Sequence, residues 1–192
     1  MEKSVFNNGF LEFLETEEEH TINNQKKLIK RKMVRRPPGV RALILNKNDN
    51  QKILLSKEFR YELDKWDYRL PGGKVFDTLD LYKEAIARND VQKYVDESVA
   101  KEVLEEVGLI VKSQKLLKIS HDGAGVIWDL FYYEIKDYEE SLDGAHLEEN
   151  EFVEGYVWKS FDEIIKMCIE QKINEERTVG VLLSYILEHK NN

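Results

Sequence analysis

The spacing of apolar residues divides the chain into segments of different predicted secondary structure. Dense apolar runs at 40–45 and 53–59 flank a polar segment at 46–51, and this pattern predicts a β-hairpin. A shorter, partly apolar run at 10–14 predicts a strand or an arm before the hairpin. The first third of the chain is therefore predicted to be mainly extended.

The periodicity becomes helical between residues 78 and 108. A short helix is predicted at 78–87, and a longer one follows it and ends at Gly108, because glycine readily adopts the left-handed conformation at a helix C-terminus. The longer helix carries a narrow apolar stripe that repeats every four residues, formed by Val95, Val99, Val103 and Val107.

Extended segments return after Gly108, and two helices close the chain. The strands are predicted at 109–111, 116–119, 126–135 and 152–158, and the helices at 161–171 and 175–189. The order of strands, helix, strands and two helices predicts a mixed α/β sandwich rather than a regular βαβ repeat.

Composition narrows the class of protein. The chain has 192 residues and a net charge of −8, which argues against a general nucleic-acid binder. No apolar run exceeds four residues, so no membrane span and no secretory signal are expected. Cys168 is the single cysteine, which excludes an internal disulfide. These observations predict a cytoplasmic protein.

The charges are unevenly distributed along the chain. An acidic cluster at 15–19 precedes a stretch at 21–41 that has no acid, and a second acid-rich stretch runs over 137–154. Such runs are either solvated surfaces or parts of a binding site. The basic stretch contains Lys26, Lys27, Lys30, Arg31, Lys32, Arg35, Arg36 and Arg41.

The candidate chemistry lies at the end of the valine-striped helix. Glu102 and Glu106 are four residues apart and share a helix face, with Glu105 beside them. Like charges at this spacing repel, but a hard divalent cation would turn the repulsion into attraction. The alternative is a solvated acidic face.

The segment Leu70-Pro71-Gly72-Gly73-Lys74, taken together with 101–109, resembles the Nudix box. This resemblance implies an α/β/α sandwich with a mixed central sheet. It also implies dependence on Mg²⁺ or Mn²⁺, and hydrolysis of a nucleoside diphosphate linked to another group.

Further segments resemble the ADP-ribose pyrophosphatase branch of this family, namely 35–40, 53–55, 58–60 and 147–151. The resemblance implies metal ligands at Glu102, Glu106, Glu151 and the Gly72 carbonyl, with Glu149 as the base for the attacking water and Glu105 as a supporting catalytic residue. Substrate contacts are expected from Arg60, whose guanidinium can grip phosphate with two hydrogen bonds, and from Arg35, Arg36, Gly73 and Lys101.

The branch resemblance also implies a domain at 35–192 and a homodimer in which an N-terminal arm, 1–34, packs on the partner. The basic stretch from Lys26 to Arg36 would then line the substrate cleft of the dimer.

The chain departs from the box in three places. Lys101 follows Gly73 by 28 positions where the box has 14, so a helical insertion is expected near 78–95, either as a lid or as a surface excursion. The first box glutamate is left open among Asp77, Asp80 and Glu97. Lys101 replaces the box arginine, and Gly125 stands where the branch usually has proline.

The predicted function is hydrolysis of a nucleoside diphosphate sugar such as ADP-ribose to a nucleoside monophosphate and a sugar phosphate. Two alternatives remain: a Nudix-fold nucleotide-binding or sensing module with weak or lost catalysis, and a Nudix hydrolase acting on another nucleoside polyphosphate. No nucleic-acid partner is expected.

Overall fold

A computed structural model describes residues 2–123, 125–146 and 152–190, which form two β-sheets and four α-helices. The strands are β1 (Glu2–Asn7), β2 (Glu12–Ile22), β3 (Gln25–Arg35), β4 (Gly39–Asn46), β5 (Asp49–Arg60), β6 (Lys65–Arg69), β7 (Leu109–Ser120), β8 (Val126–Ile127), β9 (Leu130–Glu140) and β10 (Val153–Ser160). The helices are α1 (Leu79–Arg88), α2 (Val91–Glu102), α3 (Phe161–Ile169) and α4 (Glu176–His189).

The central sheet is mixed and lies between two helical layers. Its strand order is β10-β5-β4-β9-β7, with β6 paired to β5, and the β4–β9 pair is parallel whereas the other pairs are antiparallel. One face packs against α3 and α4 around Leu43, Ile164 and Leu182, and the other packs against α2 around Ala42 and Val99. The predicted α/β/α sandwich is confirmed.

The valine stripe explains why α2 docks on the sheet. Val95, Val99 and Val103 are fully buried, while Val107 is only partly buried. The stripe changes at Val107 because α2 continues into a π-helical turn, Val103–Val107, and Glu106 is the buried residue there. Gly108 ends the helix at a φ of 72°, as predicted.

The sequence pattern missed several strands. The N-terminal sheet, in the order β1-β2-β3-β8, contains a long hairpin where only a strand at 10–14 was expected. The predicted strand at 126–135 is interrupted between β8 and β9, and the two segments predicted within 109–119 form the single strand β7. Strands β2 and β3 of this hairpin are rich in charged residues, so the sequence shows no clear alternation of apolar and polar positions there.

The helical segment between Gly73 and Lys101 joins the N-terminal sheet to α2. The backbone N–H of Leu79 donates to the Gly9 carbonyl at 2.7 Å, and Lys83 Nζ lies 2.9 Å from Glu12 Oε1. None of the residues of α1 lines the main cleft described below. The segment is helical as predicted, and α1 acts as a support for the N-terminal sheet rather than as a lid.

No helix of the described ranges is both long and apolar enough to cross a bilayer.

Glu12 is the buried acid of this support. It is 3% exposed and lies between Lys83 and Arg35, whose Nη1 is 3.3 Å from Glu12 Oε2. Burial opposes its charged form, but hydrogen bonds, first from Lys83, outweigh burial and lower the pKa of Glu12. The carboxylate therefore holds α1 to β2.

We expect Glu12→Gln to lower the free energy of unfolding by about 2 kcal/mol, because it leaves two cations without their shared carboxylate. Urea denaturation measures the change. The matched control is Glu19→Gln, because Glu19 is exposed and paired with Lys26 at 2.7 Å, so its loss is expected to cost less than about 0.5 kcal/mol. Equal losses in the two variants would contradict this role of Glu12.

Candidate active site

A cleft opens at the sheet edge where β5 ends and β4 and β9 begin. Its volume is about 360 Å³. The residues that line it are Arg36, Gly39, Arg41, Glu58, Phe59, Arg60, Tyr61, Glu62, Arg69, Gly72, Gly73, Lys74, Glu106, Trp128, Leu130, Phe152 and Val153.

The glycine turn, Gly72-Gly73, lies beside β4 in the middle of the cleft. Gly72 has a φ of +137°, and a Cβ atom there would lie 2.3 Å from the Val40 carbonyl oxygen. A Cβ atom on Gly73 would lie 2.7 Å from the carboxylate of Glu102. Glycine is therefore required at 72 by the backbone, and at 73 it lets Glu102 approach the turn.

Glu106 is buried beneath the glycine turn. It is 8% exposed, and its Oε2 accepts a hydrogen bond from the Gly72 N–H at 2.8 Å. Burial, followed by the nearby carboxylates of Glu58 and Glu102, raises the pKa of Glu106 to about 8, against the opposing effects of the Gly72 hydrogen bond and Arg41. A carboxylate in such surroundings is destabilised unless a cation joins it.

Arg41 binds the other side of the turn. Its Nη1 donates to the Gly72 carbonyl at 2.5 Å and to the Val40 carbonyl at 3.1 Å, and its Nε lies 3.5 Å from Glu175 Oε2. The Gly72 carbonyl, which is expected to bind metal, thus accepts a hydrogen bond from a guanidinium here. The sequence signal for Arg41 is a lone arginine within a buried strand, between Val40 and Ala42.

The described residues provide only part of a metal site. Within 2–123, 125–146 and 152–190, no group of three or more His, Cys, Asp or Glu residues is arranged to hold a metal ion. The predicted base Glu149 and the predicted ligand Glu151 lie outside the described residues. Glu102 and Glu106 nevertheless bring oxygen donors, one of them buried, to the glycine turn, and oxygen is what Mg²⁺ and Mn²⁺ prefer.

Glu105 and Lys101 face outward. Lys101 Nζ lies 3.1 Å from Glu105 Oε2, and the Lys101 side chain is 65% exposed. The hydrogen bond that Lys101 donates to Glu105, followed by the charges of Glu105 and Glu102, raises the pKa of Lys101. Neither residue lines the cleft, so their predicted roles in catalysis and substrate binding stay predictions.

The predicted substrate arginines separate into two groups. Arg36 and Arg60 line the cleft, and Arg60 is held by Glu62, whose Oε1 accepts from its Nε at 2.8 Å. Arg35 lies outside this cleft, because it precedes Arg36 by one position on an extended chain and is held by Glu2 and Glu12 instead.

Most of the basic stretch is neutralised within the N-terminal hairpin. Strand β3 pairs with β2, so acids of 15–19 lie opposite bases of 26–32. The ion pairs are Lys26–Glu19 at 2.7 Å, Lys30–Glu17 at 3.2 Å and Lys32–Glu15 at 3.4 Å. Within one chain, Arg36 is the residue of the Lys26 to Arg36 segment that lines the cleft, and the expectation that this segment lines the cleft of a dimer stays a prediction.

An aromatic cluster that the sequence analysis missed forms one end of the cleft. Phe59 and Phe152 each lie edge-to-face with Tyr61, at ring-centroid distances of 5.6 and 5.8 Å. Tyr61 is 67% exposed and Phe152 53%. The available signal was the aromatic pair at 59 and 61, two positions apart at the end of a strand. This cluster can stack on a planar ring.

The comparisons with known proteins identify the family. The NUDIX domain model matches residues 35–178. Among solved structures, an ADP compounds hydrolase shares 14% identity, with 98% of this chain and 92% of that one covered and a TM-score of 0.65. No curated protein matched.

Two MutT structures were also matched. The first comes from work on Aliivibrio salmonicida and Vibrio cholerae MutT, with 14% identity, 78% of this chain and 98% of that one covered and a TM-score of 0.49. The other, from Burkholderia pseudomallei, has 23% identity, coverage of 66% and 84%, and a TM-score of 0.45.

The sandwich and the glutamate-lined glycine turn define an α/β protein with an acidic site at one sheet edge. The family model spans most of this architecture. The chain therefore belongs to the NUDIX domain family, and it is a Nudix hydrolase.

The raised pKa of Glu106 predicts how the free energy of unfolding depends on pH in the absence of metal. Because its folded-state pKa, about 8, is above the ordinary 4.5, the folded protein keeps a proton that the unfolded chain releases. This stabilisation is full below pH 4.5 and is lost as pH rises to 8, at up to about 1.4 kcal/mol per pH unit. We expect urea denaturation in EDTA to show this decline between pH 5 and 8, and Glu106→Gln to flatten it. Parallel declines in the two proteins would contradict the assignment.

Proposed function

We propose that this Nudix hydrolase cleaves the pyrophosphate bond of a nucleoside diphosphate sugar such as ADP-ribose, releasing a nucleoside monophosphate and a sugar phosphate. The observation that carries the proposal is the glycine turn with Glu102 and Glu106 beneath it, set between aromatic side chains and guanidinium groups in one cleft. The likeness in fold to a protein described as an ADP compounds hydrolase supports this substrate class.

The proposed cofactor is Mg²⁺, with Mn²⁺ as the alternative. When bound, the cation supplies charge neutralisation to the pyrophosphate and lowers the pKa of a bound water. Glu102 and Glu106 would hold it, and the protonated Glu106 would lose its proton on binding because the cation replaces the proton as its positive partner.

The remaining residues of the cleft bind and orient the substrate. Exposed Tyr61 and Phe152 provide aromatic surface for a nucleobase, while the open backbone at Gly73 lets the pyrophosphate approach the carboxylates. Arg60 contacts phosphate by exchanging its bond with Glu62. Three further roles rest on the family resemblance alone: Glu149 as the base, Glu151 as a further metal ligand and Glu105 as a supporting catalytic residue. The proposed cytoplasmic location rests on the sequence alone.

We expect Glu102→Gln to reduce turnover by at least about 10²-fold, because it removes a charged ligand from the turn. The assay is release of monophosphate from a panel containing ADP-ribose, other nucleotide sugars, dinucleotides and nucleoside triphosphates in Mg²⁺. The matched control is Glu84→Gln on α1, an exposed glutamate 3.7 Å from Arg88, which is expected to keep wild-type turnover.

Full activity in Glu102→Gln would contradict the metal assignment. No turnover of any compound by the wild-type protein, together with tight binding of one, would instead favour a binding module. Turnover confined to triphosphates would favour a hydrolase of another nucleoside polyphosphate.

We also propose that the chain forms a homodimer through the outer face of its N-terminal sheet. Val5, Phe6 and Phe13 are each about half exposed there, and Phe6 and Phe13 contact edge-to-face at 6.1 Å. An apolar patch of this kind on a strongly charged sheet is typical of an interface.

We expect Phe13→Lys to convert the dimer to a monomer of unchanged fold, because it places a charge in the centre of the patch. Light scattering measures the mass. The matched control is Ile169→Lys at the end of α3, where isoleucine is 77% exposed, and it is expected to stay dimeric. A monomeric wild-type protein would overturn this interface.

A further inference from the structure

The end of the cleft opposite the aromatic cluster is built from arginines around an indole ring. The guanidinium carbons of Arg36 and Arg177 lie 4.1 and 3.9 Å from the Trp128 ring centroid. Arg177 Nη1 also donates to the Trp128 carbonyl at 3.1 Å. Cation–π contacts on this scale hold both guanidinium groups in place.

Arg36 lacks a compensating charge in the described part of the chain. Arg177 and Arg41 both approach Glu175, at 3.8 and 3.5 Å, whereas Arg36 makes no ion pair with any residue of the described ranges. Burial, followed by the like charges of Arg177 and Arg41, lowers the pKa of Arg36. This guanidinium is thus held at an electrostatic cost that an anion would remove.

Hydrogen-bond donors at this end are also unsatisfied within the described residues. Arg36 Nε and Trp128 Nε1 are buried without a hydrogen-bond partner there, as is Arg41 Nε, which lies 3.5 Å from Glu175 Oε2, and all three residues line the cleft. Buried donors are normally paired in folded proteins. The unpaired donors of Arg36 and Trp128 therefore indicate that a polar group binds here, either directly or after a small rearrangement of the protein around it.

The sheet order places Arg36 and Trp128 at different strands from the aromatic cluster. Phe152 precedes β10 and Phe59 lies on β5, while Arg36 precedes β4 and Trp128 precedes β9. The glycine turn contacts the start of β4, because the Val40 N–H donates to the Gly73 carbonyl at 2.9 Å. With strands about 4.8 Å apart, the two ends of the cleft can hold different parts of one substrate.

We propose that Arg36 and Trp128 form an anion subsite for a phosphate carried by the non-nucleoside part of the substrate, so that the preferred substrate class is a nucleoside diphosphate linked to a phosphorylated sugar. The proposal rests on the proposed function for the placement of the base at the aromatic end and the pyrophosphate at the glycine turn. A guanidinium suits phosphate because it offers two parallel donors.

The test compares three ligands: ADP-ribose, ADP-ribose phosphorylated on its terminal ribose, and the isomer phosphorylated on its adenosine ribose. Affinities are measured by calorimetry in EDTA, and kcat and KM are measured separately in Mg²⁺. We expect the terminal phosphate to tighten binding and lower KM at least about tenfold over both other compounds, with kcat little changed.

Arg36→Gln is expected to abolish this preference, so that the ratio of the affinities for the two phosphorylated isomers falls to about one. The matched control is Arg31→Gln, an exposed arginine on β3, which makes the same charge change and is expected to keep the preference. The comparison of the two isomers on the wild-type protein decides the question even if Arg36→Gln does not fold.

Equal affinity of the wild-type protein for the two isomers would overturn the subsite. A uniform loss across all three ligands in Arg36→Gln would also overturn it, because Arg36 would then contact the pyrophosphate. Preferential, Arg36-dependent binding of the terminal phosphate without any hydrolysis in Mg²⁺ would support the subsite and refute the proposed function.

Discussion

The site depends on the carboxylate of Glu106, which is buried beneath the Gly72-Gly73 turn. Glu106 is in this position because the π-helical turn replaces an apolar position of the α2 stripe with an acid, and because Gly72 offers it a backbone N–H at 2.8 Å. The acidic part of the cleft is arranged around this contact. The turn must remain glycine, Arg41 must balance the charge beneath it, and Glu102 can approach only across the missing side chain of Gly73.

The cleft thereby separates three kinds of chemistry along one sheet edge. Aromatic surface comes from the end of β5 and the start of β10, oxygen donors from Glu102 and the π-helical turn, and guanidinium groups from the start of β4, the end of β5 and α4. A linear molecule with a planar ring, a pyrophosphate and a further polar group matches this order. The overall negative charge of the chain therefore says little about the cleft, which several guanidinium groups line.

Much of the fold was predictable because its signals are local. The valine stripe, Gly108 and the apolar runs of β4 and β5 predict their elements from neighbours in sequence. The N-terminal hairpin was missed because acids on β2 and bases on β3 make sense only once the strands pair. In the site, Glu102, Glu106 and the glycines are predictable from their spacing. Arg41, Tyr61 and Phe152 are not, because their roles arise from strands that are distant in sequence.

Helix α1 has a consequence for how the chain opens. It receives the Gly9 carbonyl at its N-terminus and binds Glu12 through Lys83, while its C-terminal end leads directly into the helix that carries Glu102. The N-terminal sheet is consequently not an independent structural unit. It belongs to the same cooperative unit as the glutamate helix, so local unfolding that frees the sheet also releases the anchor of α1. The residues between Gly73 and Lys101 thereby tie the helix that carries Glu102 to the N-terminal sheet.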